Sequence, residues 1–83
     1  MTLSITFTAG QLLRMFRRRR KMSLKEVADG CTSPSLSKRT IQRIEADSDF
    51  THLQLASLAR SIGLSDDETD AVARAARAGG GAS

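Results

Sequence analysis

Lys38, Arg39, Gln42 and Arg43 place four long hydrogen-bond donors within one short stretch of the chain. Ile41 and Ile44 lie three residues apart, so on a helix they point inward together and the donors project from the other side. Ser37 stands where it can cap that helix. Arg, Lys and Gln on the outer face of a short helix suit the major groove of DNA. There Arg and Lys pair with guanine, and Gln with adenine. A solvated surface helix carries the same pattern, so the remaining residues must supply a second helix and the charge.

Other residue types that could do chemistry are sparse. The chain has one histidine, His52, and one cysteine, Cys31. His52 falls in the first turn of a predicted helix and reads as a surface residue. Cys31 reads as a small core residue closing another. Asp66, Asp67, Glu68 and Asp70 lack the alternating spacing and glycine of a calcium loop, and fit a helix start better. No nucleophile, base and orienting group can be assembled from this set, and no glycine-rich phosphate loop follows a strand. We therefore expect neither an enzyme nor a cofactor, metal or small-molecule ligand.

The 83-residue length corresponds to one domain with a modest core. A lone cysteine excludes an intrachain disulfide and a cysteine zinc site. No apolar run is long enough to span a membrane, and the start lacks a signal-peptide pattern. A cytoplasmic, nucleoid-associated protein is expected. The net charge of +4 and pI of 10.2 favour an anionic partner, nucleic acid or an anionic membrane surface. With no Trp or Tyr and only Phe7, Phe16 and Phe50, the chain lacks the exposed rings on which single-strand binders stack bases.

The elements that must position the donor face are legible from a repeated Ser/Thr-x-x-Glu/Gln spacing. Thr8 pairs with Gln11, Ser23 with Glu26, Thr51 with Gln54 and Ser65 with Glu68, each a capping box. Phe7, Met22, Phe50 and Leu64 precede these caps. Leu12, Val27 and Leu55 then complete hydrophobic staples in the first three, and Leu36 with Ile41 repeats the staple around Ser37. The reading is all-α, with five helices: 9–21, burying Leu12, Leu13 and Phe16; 24–31, burying Val27 and Ala28, with Gly30 as a C-terminal signal; 38–46; 52–62, ended by Gly63; and a fifth from after Ser65 to about Ala78. Residues 1–8, with Leu3, Ile5 and Phe7 alternating with polar residues, form an N-terminal arm or short strand. Residues 79–83 form a disordered glycine-rich tail.

In this order, Leu13-Arg14-Met15-Phe16-Arg17 and Arg20-Lys21-Met22-Ser23-Leu24-Lys25-Glu26-Val27-Ala28 resemble the opening of lambda-repressor-like (Cro and phage-repressor, Xre-type) helix-turn-helix domains. Thr40-Ile41-Gln42-Arg43-Ile44-Glu45 is similar to the end of their recognition helix. Leu55, Leu58, Ala59, Ile62, Gly63 and Leu64 look like their fourth helix and its exit. The resemblance spans roughly residues 11–65. It implies base contacts from Lys38, Arg39, Gln42 and Arg43. Phosphate contacts are expected from Arg20, Lys21, Ser23, Lys25, Ser37 and Thr40, with the amide end of the second helix on a phosphate. Arg17 and Glu45 match a structural ion pair joining the first and third helices. Two departures stand out. Thr32-Ser33-Pro34-Ser35 is longer than the family's tight turn. It either alters the angle of the recognition helix or, with Ser33 as cap, starts that helix early at Pro34. Leu24 occupies a position that is often polar, leaving its phosphate role to Lys25.

The expected function is a sequence-specific double-stranded DNA-binding transcriptional regulator, repressor-like, Cro-like or antitoxin-like. Weak homodimerisation on DNA is expected, through the fifth helix (Val72, Ala75, Ala76) or through Leu3-Ile5-Phe7. The alternatives are a protein-interaction module that keeps the fold without DNA specificity, and a membrane-surface role for the arginine-rich first helix. The second conflicts with that helix's need to bury its apolar face.

Overall fold

The computed structural model describes residues 7–80, with side chains as far as Arg77. It is an all-α domain of five helices: α1 (Ala9–Arg19), α2 (Leu24–Gly30), α3 (Lys38–Asp47), α4 (His52–Ile62) and α5 (Asp66–Gly80). The expected N-terminal arm, apart from residues 7 and 8, and the last three residues of the expected tail lie outside the described residues. Gly79 and Gly80, assigned to that tail by sequence, are instead the last residues of α5.

The helix starts form as their spacing requires. Thr8, Ser23 and Thr51 each accept the amide of the residue three ahead, while Gln11, Glu26 and Gln54 reach back to the cap amides. Ser65 and Glu68 do the same at α5. Ser37 caps α3 by accepting the Thr40 amide, which excludes the earlier start at Pro34.

The helix ends depart from expectation in two places. The first helix stops at Arg19 rather than Lys21, because Lys21 adopts φ 55°. The Lys21 amide donates to Arg18 and the Met22 amide to Arg17, which is a Schellman closure with lysine where glycine is usual. Gly30 is not a left-handed cap. It is the last residue of α2, and a Cβ there would lie 2.5 Å from Ser61 Oγ, so its bareness permits close approach of α4. Gly63, at φ 83°, does end α4 in the left-handed region.

Leu13, Phe16, Val27, Cys31, Leu36, Ile41, Ile44, Leu55, Leu58, Ile62 and Val72 form one buried core. The α1 helix packs on α3 and α5, and α2 packs on α3 and α4, so α3 lies between the first two helices and is held from both. The tightest crossing is at Gly10. A Cβ there would stand 2.6 Å from the Ile44 carbonyl oxygen and nearer still to that of Glu45, while the Gly10 amide donates to Ser48 Oγ at 2.9 Å. The long 32–35 connection is pinned from α4. Fully buried Ser57 donates to the Pro34 carbonyl at 2.8 Å, and Arg60 donates to that of Thr32 at 3.0 Å. The Ser33–Pro34 peptide is cis.

Candidate nucleic-acid interface

Burial of Ile41 and Ile44, at 1% and 3% exposure, fixes the roll of α3 about its axis. Lys38, Arg39, Gln42 and Arg43 are consequently all exposed, and none of them forms an ion pair among the described residues. Their donors are therefore available to an external partner. Arg39 lies nearly opposite the buried pair, with Gln42 and Arg43 on either side of it, as a turn of 100° per residue dictates.

A fork of hydrogen bonds holds this helix in place. Arg17 Nε donates to Glu45 Oε2 at 2.7 Å and Arg17 Nη2 donates to Glu45 Oε1 at 3.1 Å. The same guanidinium donates to the Met22 carbonyl at 2.9 Å, so one side chain joins α1, α3 and the turn before α2. The two side chains retain only 11% and 9% exposure. In such a setting the planar bidentate match of Arg and carboxylate is what offsets desolvation.

The residues expected at phosphates divide. Lys21, Ser23, Lys25 and Ser37 are exposed, and Thr40 is half-buried. The Ser23 and Ser37 hydroxyls accept their cap amides, and Ser37 and Thr40 share a hydrogen bond at 2.9 Å. Arg20, expected at a phosphate, is different in that its guanidinium is engaged within the domain. It lies one turn after buried Phe16, on the inward side of α1. Its guanidinium donates to Glu68 at 2.7 Å and to the Gly63 carbonyl at 3.2 Å. Arg20 therefore ties α1 to the α4–α5 turn. Sequence spacing held no signal for this pairing across 48 residues.

Two notches flank α3. The first, about 240 Å³, is lined by Arg14, Arg17 and Leu24 together with Gln42, Glu45 and Ala46 of α3. Leu24 packs partly against the core, so its side chain serves the fold rather than a polar contact. The second, about 290 Å³, is lined by Thr40, Arg43, Asp47, Asp49, Thr51 and Gln54 among others. Comparisons with family models, curated proteins and solved structures find no match. The site must be read from its own chemistry.

Carboxylates outside these notches are shaped by the caps. The Ser23 backbone amide, with the Ser23 hydroxyl adding to it, holds the Glu26 carboxyl below the usual carboxylate range. For Glu68 the Ser65 amide does so, with Arg20 adding to it. No group of three or more acidic, His or Cys side chains among the described residues is placed to hold a metal ion. No helix among the described residues is long and apolar enough to cross a membrane.

Of the α5 residues expected at a dimer surface, one is not at the surface. Val72 is fully buried and belongs to the core, while Ala75 and Ala76 are half-buried against it. Ala76 also lines an open surface. It is a groove of about 760 Å³ between the α3–α4 loop and α5, with Phe50, Leu55, Ala73 and Ala76 on its floor and Asp47, Asp49, His52 and Arg77 among its lining residues.

Proposed function

We propose that this domain binds double-stranded DNA sequence-specifically, as a helix-turn-helix transcriptional regulator of the lambda-repressor-like kind, with α3 in the major groove. The observation that carries the reading is the exposed set Lys38, Arg39, Gln42 and Arg43 on a helix whose roll is locked by the buried Ile41 and Ile44 and by the Arg17–Glu45 fork. Base discrimination requires donors held on a rigid element. These donors are long, cationic or amide, and unengaged, and the element beneath them is clamped by α1. Lys21, Ser23, Lys25, Ser37 and Thr40 lie on or beside the two helices that would approach the backbone, and take the phosphate-contacting roles.

One short helix reads few base pairs, so the proposal includes weak self-association on DNA. The groove beside α5 carries Asp47 and Asp49 on one side and Arg77 on the other. A two-fold pairing with its axis along the groove would oppose unlike charges in both directions.

The test is a selection of genomic fragments by the full chain, followed by titration of the recovered duplex and a scrambled one over a range of salt. With about five phosphates neutralised, log K should fall with log salt at a slope of about −4 to −5, and the recovered duplex should bind more tightly. A slope near zero would remove the reading and leave a helical interaction module.

A further inference from the structure

Arg14 has no role in the helix caps, the core or any ion pair among the described residues. It stands exposed on α1, one turn before Arg18, and lines the notch it shares with Gln42, Glu45, Ala46 and Leu24. The only carboxylate in that notch is Glu45, whose two oxygens are both occupied by the Arg17 fork. The charge left over in the notch is therefore that of Arg14. Gln42, on the notch's other wall, belongs to the donor face of α3. An anion drawn to Arg14 would lie alongside that face.

We infer that Arg14 is a further DNA anchor, holding a backbone phosphate along the α1 side of α3. The inference rests on the DNA-binding reading and adds a contact that the donor face alone does not name. A guanidinium suits the position. It stays charged at any working pH and offers several donors to phosphate oxygens. The opposite notch cannot take the same part, because Asp47 and Asp49 line it beside Arg43. Backbone anchoring is thus concentrated on one side of the recognition helix.

The experiment compares wild type, Arg14→Ala, Arg14→Lys and Arg74→Ala on the selected duplex and on a scrambled one, each across a salt series. Arg74 is exposed on α5 and pairs with Asp70, so it serves as the control cation. Thermal melts establish that each variant is folded. Arg14→Ala should reduce the magnitude of the salt slope by about 0.9 and weaken both duplexes alike, roughly fivefold to tenfold at 0.1 M salt. Arg14→Lys should keep the wild-type slope and Arg74→Ala should leave binding unchanged. If wild type binds with a steep slope and Arg14→Ala matches it, the anchor is overturned while the DNA-binding reading stands. If Arg74→Ala lowers the slope as much as Arg14→Ala, the effect is one of net charge and the anchor is again overturned. If wild type shows no salt-dependent binding, both fall together.

Discussion

Along one side of α3, Arg14 and Arg17 of α1 line a notch with Gln42 and Glu45; along the other, Asp47 and Asp49 line one with Arg43 and Thr40. The first contains a single carboxylate, neutralised by a bidentate partner. The second contains two, and neither forms an ion pair among the described residues. A net charge of +4 conceals this sidedness. The α3 helix is therefore clamped and positively lined on its α1 side, and solvated and negatively lined on the side that leads into α4. Rigidity and anion attraction coincide on one flank, so variants on the two flanks should fail in different ways.

The largest effect should come from breaking the clamp. Glu45→Ala would strand the Arg17 guanidinium in a site where it is 11% exposed. A loss of about 3–5 kcal/mol is expected, comparable to the whole stability of a small domain. Gly10→Ala attacks the same flank from the backbone, by pushing a methyl against the Ile44 and Glu45 carbonyls. Arg43→Ala, on the solvated flank, should leave stability within about 0.5 kcal/mol of wild type. Urea denaturation of the three variants checks the contrast. A Glu45→Ala midpoint equal to that of Arg43→Ala would show that the clamp does not hold α3.

The next effect concerns base reading. Arg39 projects away from both notches, whereas Arg43 shares its surroundings with Asp47 and Asp49. Arg39→Ala should cost roughly 1–3 kcal/mol on the preferred duplex and relax one base position. Arg43→Ala should cost less, because two nearby carboxylates offset its charge toward an approaching duplex. Titrations of both variants against single-base changes in the duplex distinguish them. Equal costs would mean that the acidic flank does not influence its arginine.

How much of this was readable in advance depends on the range of each interaction. The capping boxes act across three residues, so the helix starts were written in local spacing and the five-helix order followed. The outward roll of α3 was equally local, set by Ile41 and Ile44. Contacts between distant residues were not legible this way. The Arg17–Glu45 pair came through resemblance rather than spacing. The Arg20–Glu68 pair was missed because a run of arginines offers no sign of which one turns inward. The Ser57 bonds to the 32–34 connection and the bareness of Gly10 depend on which helices touch, and nothing in a single serine or glycine declares that. The end of α1 before Lys21 was not legible either, because a lysine does not announce a left-handed turn as a glycine does.

A smaller effect tests the acidic flank directly. Asp47→Asn and Asp49→Asn remove a negative charge each while keeping shape. Two unit charges about 8 Å apart in a water-like dielectric interact by roughly 0.5 kcal/mol, and salt reduces this further. Each substitution should therefore tighten binding by about that amount at low salt, on selected and scrambled duplexes alike. The gain should fade as salt rises. A loss confined to the selected duplex would instead make these carboxylates base readers, since Asp can accept from cytosine N4.

The smallest effect separates the caps that flank the two notches. Glu26 starts α2, just after Leu24 of the positively lined notch, whereas Gln54 starts α4 and lines the acidic one. Only the glutamate can titrate. Its carboxyl is held below the ordinary range, chiefly by the Ser23 amide, and Glu68 is held low in the same way by the Ser65 amide and Arg20. A carboxylate with a lower value in the folded chain binds fewer protons there than in the unfolded chain. Its stabilising contribution is therefore complete above the unfolded value, about 4.3, and is lost as pH falls through the folded value. Melting temperature should decline below about pH 4.5 in wild type, and the decline should be shallower in Glu26→Gln with Glu68→Gln. Glutamine serves as the reaching residue at Thr8 and Thr51, so the doubly substituted chain should keep its caps and lose their pH dependence, together with the charge partner of Arg20. An acid limb as steep as that of wild type would place the proton-sensitive groups elsewhere.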